Sequence, residues 1–261
     1  FMLPKTLEKI KNNCQIVFYL GDNPLWSKTF DYNLEILKYS DLTISPDSYW
    51  MNELSSIGMP NIVCDYIGYS SKIFFPVAKI SNKMKLKYQS DLLFIGRNYR
   101  DASGFKRSLF MNSFEGLNLK IFGGEEWSKW FPSFSNLIKR FNLLESRISN
   151  EELNIAINCC KIYPIDQNTG IVNGIHARVF EVIGAGSLPV MEWSKDIDAV
   201  FGDLLPVIKN YNDSINIVKP YLLNERLRIE TIKKLKLHMD SNYTPEKYIE
   251  RLLNHLSNEI R

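Results

Sequence analysis

Ile171–Trp193, IVNGIHARVFEVIGAGSLPVMEW, is the stretch that decides how the chain is built. It reads as loop, short helix, turn and strand. Asn173 and Gly174 give a flexible loop, and HARVFEVIGA sets Val179, Phe180, Val182 and Ile183 on one helical face. Gly186 stops the helix, and Ser187 and Pro189 make the connection. Leu188, Val190 and Met191 then begin an apolar strand of the kind buried in a parallel sheet. His176, Arg178 and Glu181 fall in the first turns of the helix, where backbone N–H groups and the helix dipole attract phosphate. Arg178 can fork onto phosphate oxygens, and Glu181, about one turn further on, can accept from a pair of sugar hydroxyls. The same two residues have the spacing of a local ion pair, and on their own they leave both readings open.

Outward from this stretch the chain keeps an α/β rhythm. LPKTLEKIKNN reads as an amphipathic helix, QIVFYL as a buried strand, Tyr32–Lys38 as a helix and LTIS as a strand. PDSYWMNELSSIG is a helix capped by Asp47 or Ser48, and NIVC a strand, so a parallel sheet is expected. Tyr69–Ser90 loses periodicity and gains Lys, as a surface connector does. A second α/β unit starts at the strand DLLFIG, with Gly96 and Arg97 directly after it and Lys106 and Arg107 in the following helix, a first βα turn suited to phosphate. LNLKIFGG is a strand, EEWSKWFPSF an aromatic loop, NEELNIAINCC a helix and KIYPI a strand. An acidic turn, a short strand over Leu205–Ile208 and a helix follow, then two amphipathic helices broken between Asn242 and Pro245. Asp22, in GDNPLW at a strand's carboxyl end, reads either as a base or acceptor contact in a cleft or as an ordinary turn cap.

The pattern RVFEVIGAGSLPV, behind its Gly-containing loop and ahead of an acidic amphipathic segment, resembles the donor half of group 1 GT-B glycosyltransferases, in particular the spore-maturation CgeB-like branch. The likeness runs well over Asp91–Leu256 and loosely over Phe1–Ser90. It implies two Rossmann-like domains facing a cleft: residues 1–85 as a partial, truncated acceptor-side domain with linker, and residues 86–261 as the donor-binding domain with closing C-terminal helices. It further implies that Glu181 holds the donor ribose, that Gly96, Arg97, Lys106 and Arg178 face the diphosphate, and that His176 and Val179 belong to the donor site. Tyr163 would end the strand beside the nucleobase. Asn173, with Gly174, stands where group 1 enzymes often carry a sugar-contacting Glu eight positions before the ribose residue; an amide hydrogen-bonds a hydroxyl but bears no charge. The implied activity is metal-independent transfer of a sugar from a nucleotide-diphosphate sugar, UDP or GDP type, to a glycan, lipid-linked or protein acceptor, as in polysaccharide biosynthesis. Asp22 is the candidate catalytic residue, and no cofactor is expected. A non-catalytic nucleotide- or sugar-binding module is the alternative. An NAD-dependent oxidoreductase needs three glycines in its first turn, and only Gly96 of that set is present.

Composition narrows the field further. Over 261 residues, 45% hydrophobic content suffices for buried cores, and 32 basic against 29 acidic residues leave a net +3, too little for a dedicated nucleic-acid surface. Four Cys with no paired spacing read as reduced core thiols, and three His leave little for a metal site. No apolar run reaches the roughly 20 residues of a membrane span. The expectation is a cytoplasmic protein; the Lys-rich connector with Phe74 and Phe75 reads first as a solvated linker, with peripheral contact at the inner membrane face or a polyanionic acceptor as the alternatives.

Overall fold

The computed structural model describes residues 4–25 and 33–259. Expectations that fall on Leu3, Trp26 and Tyr32 lie outside the described residues. The elements are α1 (Pro4–Ile10), β1 (Val17–Tyr19), α2 (Asn33–Leu37), β2 (Leu42–Ser45), α3 (Ser48–Ser56) and β3 (Ile62–Cys64). There follow α4 (Asn82–Tyr88), β4 (Ser90–Ile95), α5 (Ala102–Asn112), β5 (Leu119–Gly123), β6 (Phe141–Leu143), α6 (Asn150–Asn158) and β7 (Cys160–Ile165). The chain continues through α7 (Arg178–Ala185), β8 (Leu188–Glu192), α8 (Lys195–Phe201), β9 (Val207–Ile208), α9 (Ser214–Leu223), α10 (Glu225–Asn242) and α11 (Pro245–Glu259).

Two parallel sheets result. The first has the order β1-β2-β3, and the second β6-β5-β4-β7-β8-β9. Renumbered from its own first strand, the second sheet runs 3-2-1-4-5-6, the doubly wound dinucleotide-binding order. Its strand order reverses between β4 and β7, so the crevice outside the carboxyl ends of those strands is where this topology places a ligand. The main core lies around this sheet, with Leu92, Ile121, Ile162 and Val190 fully buried. A small separate core under the first sheet contains Leu20, Leu37, Trp50 and Leu54.

Helix α7 shows why its motif reads as it does. Gly186 closes the helix in the left-handed region at φ 90°, with its N–H donating to Ile183 O. Gly184 sits against Tyr69: a Cβ added there would lie 2.2 Å from the Tyr69 ring, which is 3% exposed and hydrogen-bonded to Asp240 at 2.5 Å. Gly184→Ala is therefore expected to cost about 1–3 kcal/mol by overpacking, despite Ala's higher helix propensity. A urea midpoint equal to or above wild type contradicts this packing account.

Three segments differ from their sequence reading. Tyr69–Ser90 is no solvated connector: it contains α4, buries Tyr69, Phe74 and Tyr88, and donates Phe75 N–H and Val77 N–H to Asn154 and Asn158 at 3.2 and 2.8 Å. The acidic turn after Trp193 is helix α8, and the aromatic stretch is a 3-10 helix over Glu125–Trp130. Of the cysteines, all four are free, but Cys14 is exposed and Cys64 and Cys159 are half-buried; Cys160 alone is a core thiol. No helix among the described residues is long and apolar enough to cross a membrane.

The two sheets are joined by polar contacts. Asp47 caps α3 by accepting from Tyr49 N and Trp50 N, and also takes Val172 N–H at 2.7 Å and Asn173 N–H at 3.2 Å. Asp196 of α8 accepts from Ser48 Oγ at 2.5 Å, Ser48 N at 2.9 Å and Tyr66 Oη at 2.8 Å. Arg251 of α11 places Nε within 3.0 Å of both Asp65 carboxylate oxygens, returning the last helix to the end of β3.

Candidate active site

A cleft of about 900 Å³ opens at the carboxyl ends of β4, β5 and β6. Gly96 and Arg97 line it from the end of β4, Gly123 and Gly124 from the end of β5, and Leu143–Ile148 from the loop after β6. Arg178 and Glu181 close it from α7. Four arginines border it, Arg97, Arg100, Arg147 and Arg178, together with the carboxylates Glu125, Glu126, Glu145 and Glu181. Arginine forks bind phosphate bidentately, so a cleft bordered by four of them is suited to a diphosphate.

Arg178 Nη1 lies 2.6 Å from Glu181 Oε2, both side chains about three-quarters covered. Nη1 nevertheless has no hydrogen-bond partner among the described residues, so the contact is one of charge, with the N–H directed off the carboxylate. The pair is a local ion pair on the cleft wall. Burial holds the Glu181 carboxyl above the usual carboxylate range, against the opposing pull of the Arg178 charge.

The wall behind the cleft is built from groups that sequence reading did not pair. Arg107 is buried in α5, with Nε 3.0 and 2.9 Å from the two Asp166 oxygens and Nη1 donating to Arg97 O. The loop that offers Arg97 is therefore fixed from behind. Trp127, fully buried, donates Nε1–H to Gly96 O at 3.0 Å. Its role is to hold a turn, with no face left for stacking on a base or sugar.

The structure brings together Gly96, Arg97, Arg178 and Glu181 of the expected donor set and leaves the others off this cleft. Lys106 Nζ is 2.8 Å from Glu192 and donates to Gln167 O at 2.9 Å. Tyr163 is 1% exposed and donates to Ile95 O at 3.1 Å, behind the strand end that carries Gly96; burial pushes its phenol up to about 12. Val179 is fully buried core. Asn173 gives its side-chain amide to Ser48 Oγ at 3.0 Å, and Gly174 O accepts from Gln167 Nε2 at 2.7 Å and Ser194 Oγ at 2.8 Å. These two hold the loop between the sheets.

His176 belongs to a second cavity, of about 450 Å³, between the carboxyl ends of the first sheet and the start of α7; Asp22 lines the same space. The imidazole stands in for a helix cap: Nδ1 accepts the Arg178 N–H at 3.0 Å, since Ala177 offers no capping side chain. Burial chiefly, then the Arg178 charge, lowers the His176 pKa from 6.5 to about 4. The unfolded chain thus takes up a proton that the fold refuses. This contribution to stability is complete above pH 6.5 and is lost as pH falls from 6.5 towards 4. It amounts to about 3 kcal/mol at most. His176→Phe is expected to flatten the loss of stability between pH 7 and pH 5 measured by urea unfolding; an unchanged slope contradicts the burial of a neutral ring.

The residues sequence reading missed are Arg100, Arg147 and the Arg107–Asp166 pair. Arg147 follows β6, Phe141–Leu143, three half-exposed or exposed residues too short a run to stand out as a strand. Among the described residues no group of three or more His, Cys, Asp or Glu converges as a metal site would.

Two parallel α/β units, with a cleft at the switch point of the larger, define a GT-B architecture. The sequence profile of the family described as glycosyl transferase-like matches residues 104–254, and the chain belongs to that family. It is a glycosyltransferase of the GT-B type. Sucrose-phosphate synthase from Thermosynechococcus elongatus superposes with a TM-score of 0.71 at 13% identity, over 98% of this chain and 71% of that one. A UDP-forming alpha,alpha-trehalose-phosphate synthase from Burkholderia xenovorans gives 0.64 at 9% identity, over 99% and 71%. Anabaena HepE in complex with UDP and glucose gives 0.66 at 12% identity, over 98% and 76%. Comparison with curated protein sequences gives no match.

Proposed function

We propose that the cleft at the β4–β7 switch point binds the nucleoside diphosphate of a nucleotide-sugar donor, and that the enzyme transfers the sugar to an acceptor entering by the second cavity. The observation that carries this reading is the convergence of Gly96 and Arg97, from the turn after β4, and Arg178 and Glu181, from α7, on one cleft. Arg97 and Arg178 meet the diphosphate, and Glu181 accepts from the ribose hydroxyls. In this reading Arg97 and Arg178 offset the charge of the leaving diphosphate, and transfer proceeds without a metal. UDP is the favoured nucleotide, supported by the similarity to HepE, which is seen with UDP and glucose.

In this reading residues 86–261 are the donor side and residues 1–85 the acceptor side, in the CgeB-like branch. Asp22, exposed at the end of β1, is the candidate base for the acceptor hydroxyl. The acceptor is a glycan, a lipid-linked sugar or a protein, met in the cytoplasm or at its membrane face.

A thermal-shift screen of UDP, GDP, dTDP and CMP, each with added divalent metal or with EDTA, tests the assignment. One nucleotide is expected to raise Tm in proportion to the logarithm of its concentration over Kd, and equally in EDTA. No shift with any of the four removes the donor-site reading, and a shift only with metal removes its metal-independent form.

A further inference from the structure

The segment Tyr69–Ser90 carries five lysines, Lys72, Lys79, Lys83, Lys85 and Lys87, and neither Asp nor Glu. All five are exposed, on a backbone that is held in place. Phe74 and Tyr88 turn into the core, and Asn154 and Asn158 of α6 accept from Phe75 N–H and Val77 N–H. With Phe74 inward, its neighbours Ile73 and Phe75 stay exposed, and Leu86 of α4 is 83% exposed. Both parts of the segment lie against α6: Asn158 also donates to Phe75 O at 3.1 Å, and Glu152 accepts from Lys87 and Tyr88 at the end of α4. Lys120 of β5 adds a further ammonium, its Nζ donating to Leu86 O and Lys87 O. Apolar side chains standing among lysines supply the two signals that together hold a protein at an anionic lipid surface, burial of apolar groups and attraction to headgroups.

The carboxylates nearby do not cancel this charge. Glu152 is paired with Lys87 and Asp91 with Lys161, Glu246 lies by Lys72, and Glu151 stands exposed at the start of α6. Lys79, Lys83, Lys85 and Lys120 form no ion pair among the described residues, so the surface stays positive. Topology fixes where it lies. Helix α4 runs into the start of β4, Asn158 stands just before β7, and Pro76 packs on Gly186 ahead of β8. All three mark the amino ends of the strands, whereas the donor cleft opens at the carboxyl ends.

We propose that this surface docks on an anionic lipid bilayer, with Leu86, Phe75 and Ile73 entering the headgroup layer and the lysines around them meeting lipid phosphates. A soluble polyanion would engage the lysines and leave the three apolar side chains in water, so their exposure favours lipid. Docking stands independently of the donor reading. Its consequence rests on that reading: the donor cleft of a docked molecule opens away from the bilayer, towards an acceptor that stands off the surface, as a glycan or a protein does.

Flotation with lipid vesicles tests it. The protein is expected to float with phosphatidylcholine vesicles containing about 30% phosphatidylglycerol, and to stay behind with phosphatidylcholine alone or in about 0.5 M NaCl. Lys79→Gln, Lys83→Gln and Lys85→Gln together should lower the partition coefficient about 100-fold, and Phe75→Ser with Leu86→Ser at least about tenfold. These residues are exposed or half-buried surface positions off the cleft, so each variant should stay folded with the nucleotide response of wild type. In Cys14→Ser protein, an NBD fluorophore on Leu86→Cys should shift to the blue on vesicle binding, and one on Glu145→Cys, at the cleft, should not. No flotation, flotation indifferent to the lysine changes, or a blue shift at Glu145→Cys overturns the proposal. Vesicle binding that is indifferent to Phe75→Ser with Leu86→Ser and matched by heparin replaces lipid with a soluble polyanion and likewise overturns it. If flotation behaves as expected while no nucleotide binds, the donor reading fails and the docking surface stands.

Discussion

Glu181→Ala is expected to raise the Kd of the nucleoside diphosphate about 10- to 100-fold. A hydrogen bond to a charged group contributes about 1.5–3 kcal/mol, and each 1.4 kcal/mol is roughly tenfold in affinity. Glu181 lines the cleft, where the proposed reading has it accept from two ribose hydroxyls, and α7, whose apolar face is buried, fixes its backbone. The substitution also releases Arg178 from a charge contact at 2.6 Å. An i,i+3 pair of this kind is worth about 0.5 kcal/mol, and a freed guanidinium has no compensating loss at the phosphate, so the lost ribose contact dominates. Because burial raises the Glu181 pKa, binding should weaken with falling pH earlier than an ordinary glutamate would allow, as the carboxylate is protonated. Titration calorimetry on the two proteins decides it. A Kd unchanged within about twofold would make Glu181 a structural partner of Arg178 and nothing more.

Arg107→Leu should produce the largest loss of stability, about 3–5 kcal/mol, because it leaves Asp166 buried without its counter-charge. Arg107 is 7% exposed and Asp166 4%, so water cannot take over the role of the guanidinium. The same change withdraws the donor to Arg97 O, so any surviving folded protein should bind nucleotide less well. Arg107→Leu combined with Asp166→Leu removes both charges and should recover much of the loss, since replacing a buried pair by apolar groups is often near neutral. Denaturant unfolding of the single and double variants measures the coupling directly. A single variant within about 1 kcal/mol of wild type contradicts a buried, dry ion pair.

Local chemistry was legible from the residues; long-range pairing was not. Gly186 as the stop of α7, Asp47 as the cap of α3, and the break between α10 and α11 are each decided within one turn of chain, and each stands where it was expected. Asp47 also receives Val172 and Asn173, 125 and 126 residues away, which no local pattern announces. Arg107 read with Lys106 as part of a first βα turn suited to phosphate, yet it is buried against Asp166 behind the cleft. Strand β6 escaped notice because its three residues are mostly exposed and rely on backbone pairing with β5. That omission hid the loop carrying Arg147, a quarter of the arginine border of the cleft. The motif RVFE pointed to Arg178 and Glu181 because a helix start and a one-turn spacing are local facts. Lys106, Tyr163, Val179, Asn173 and Gly174, assigned by resemblance to the same donor set, stand off this cleft in structural contacts.

The most direct test of the central claim is turnover. The protein is incubated with UDP-, GDP- and dTDP-linked sugars in EDTA, and free nucleoside diphosphate and sugar release or transfer are measured over time for wild type and Glu181→Ala. The account predicts that one nucleotide sugar is consumed by wild type without metal, and at least about tenfold more slowly by the variant at subsaturating donor. A nucleotide that binds in the cleft while none of its sugars is consumed, with or without candidate saccharide acceptors, would contradict it and leave a binding module in its place.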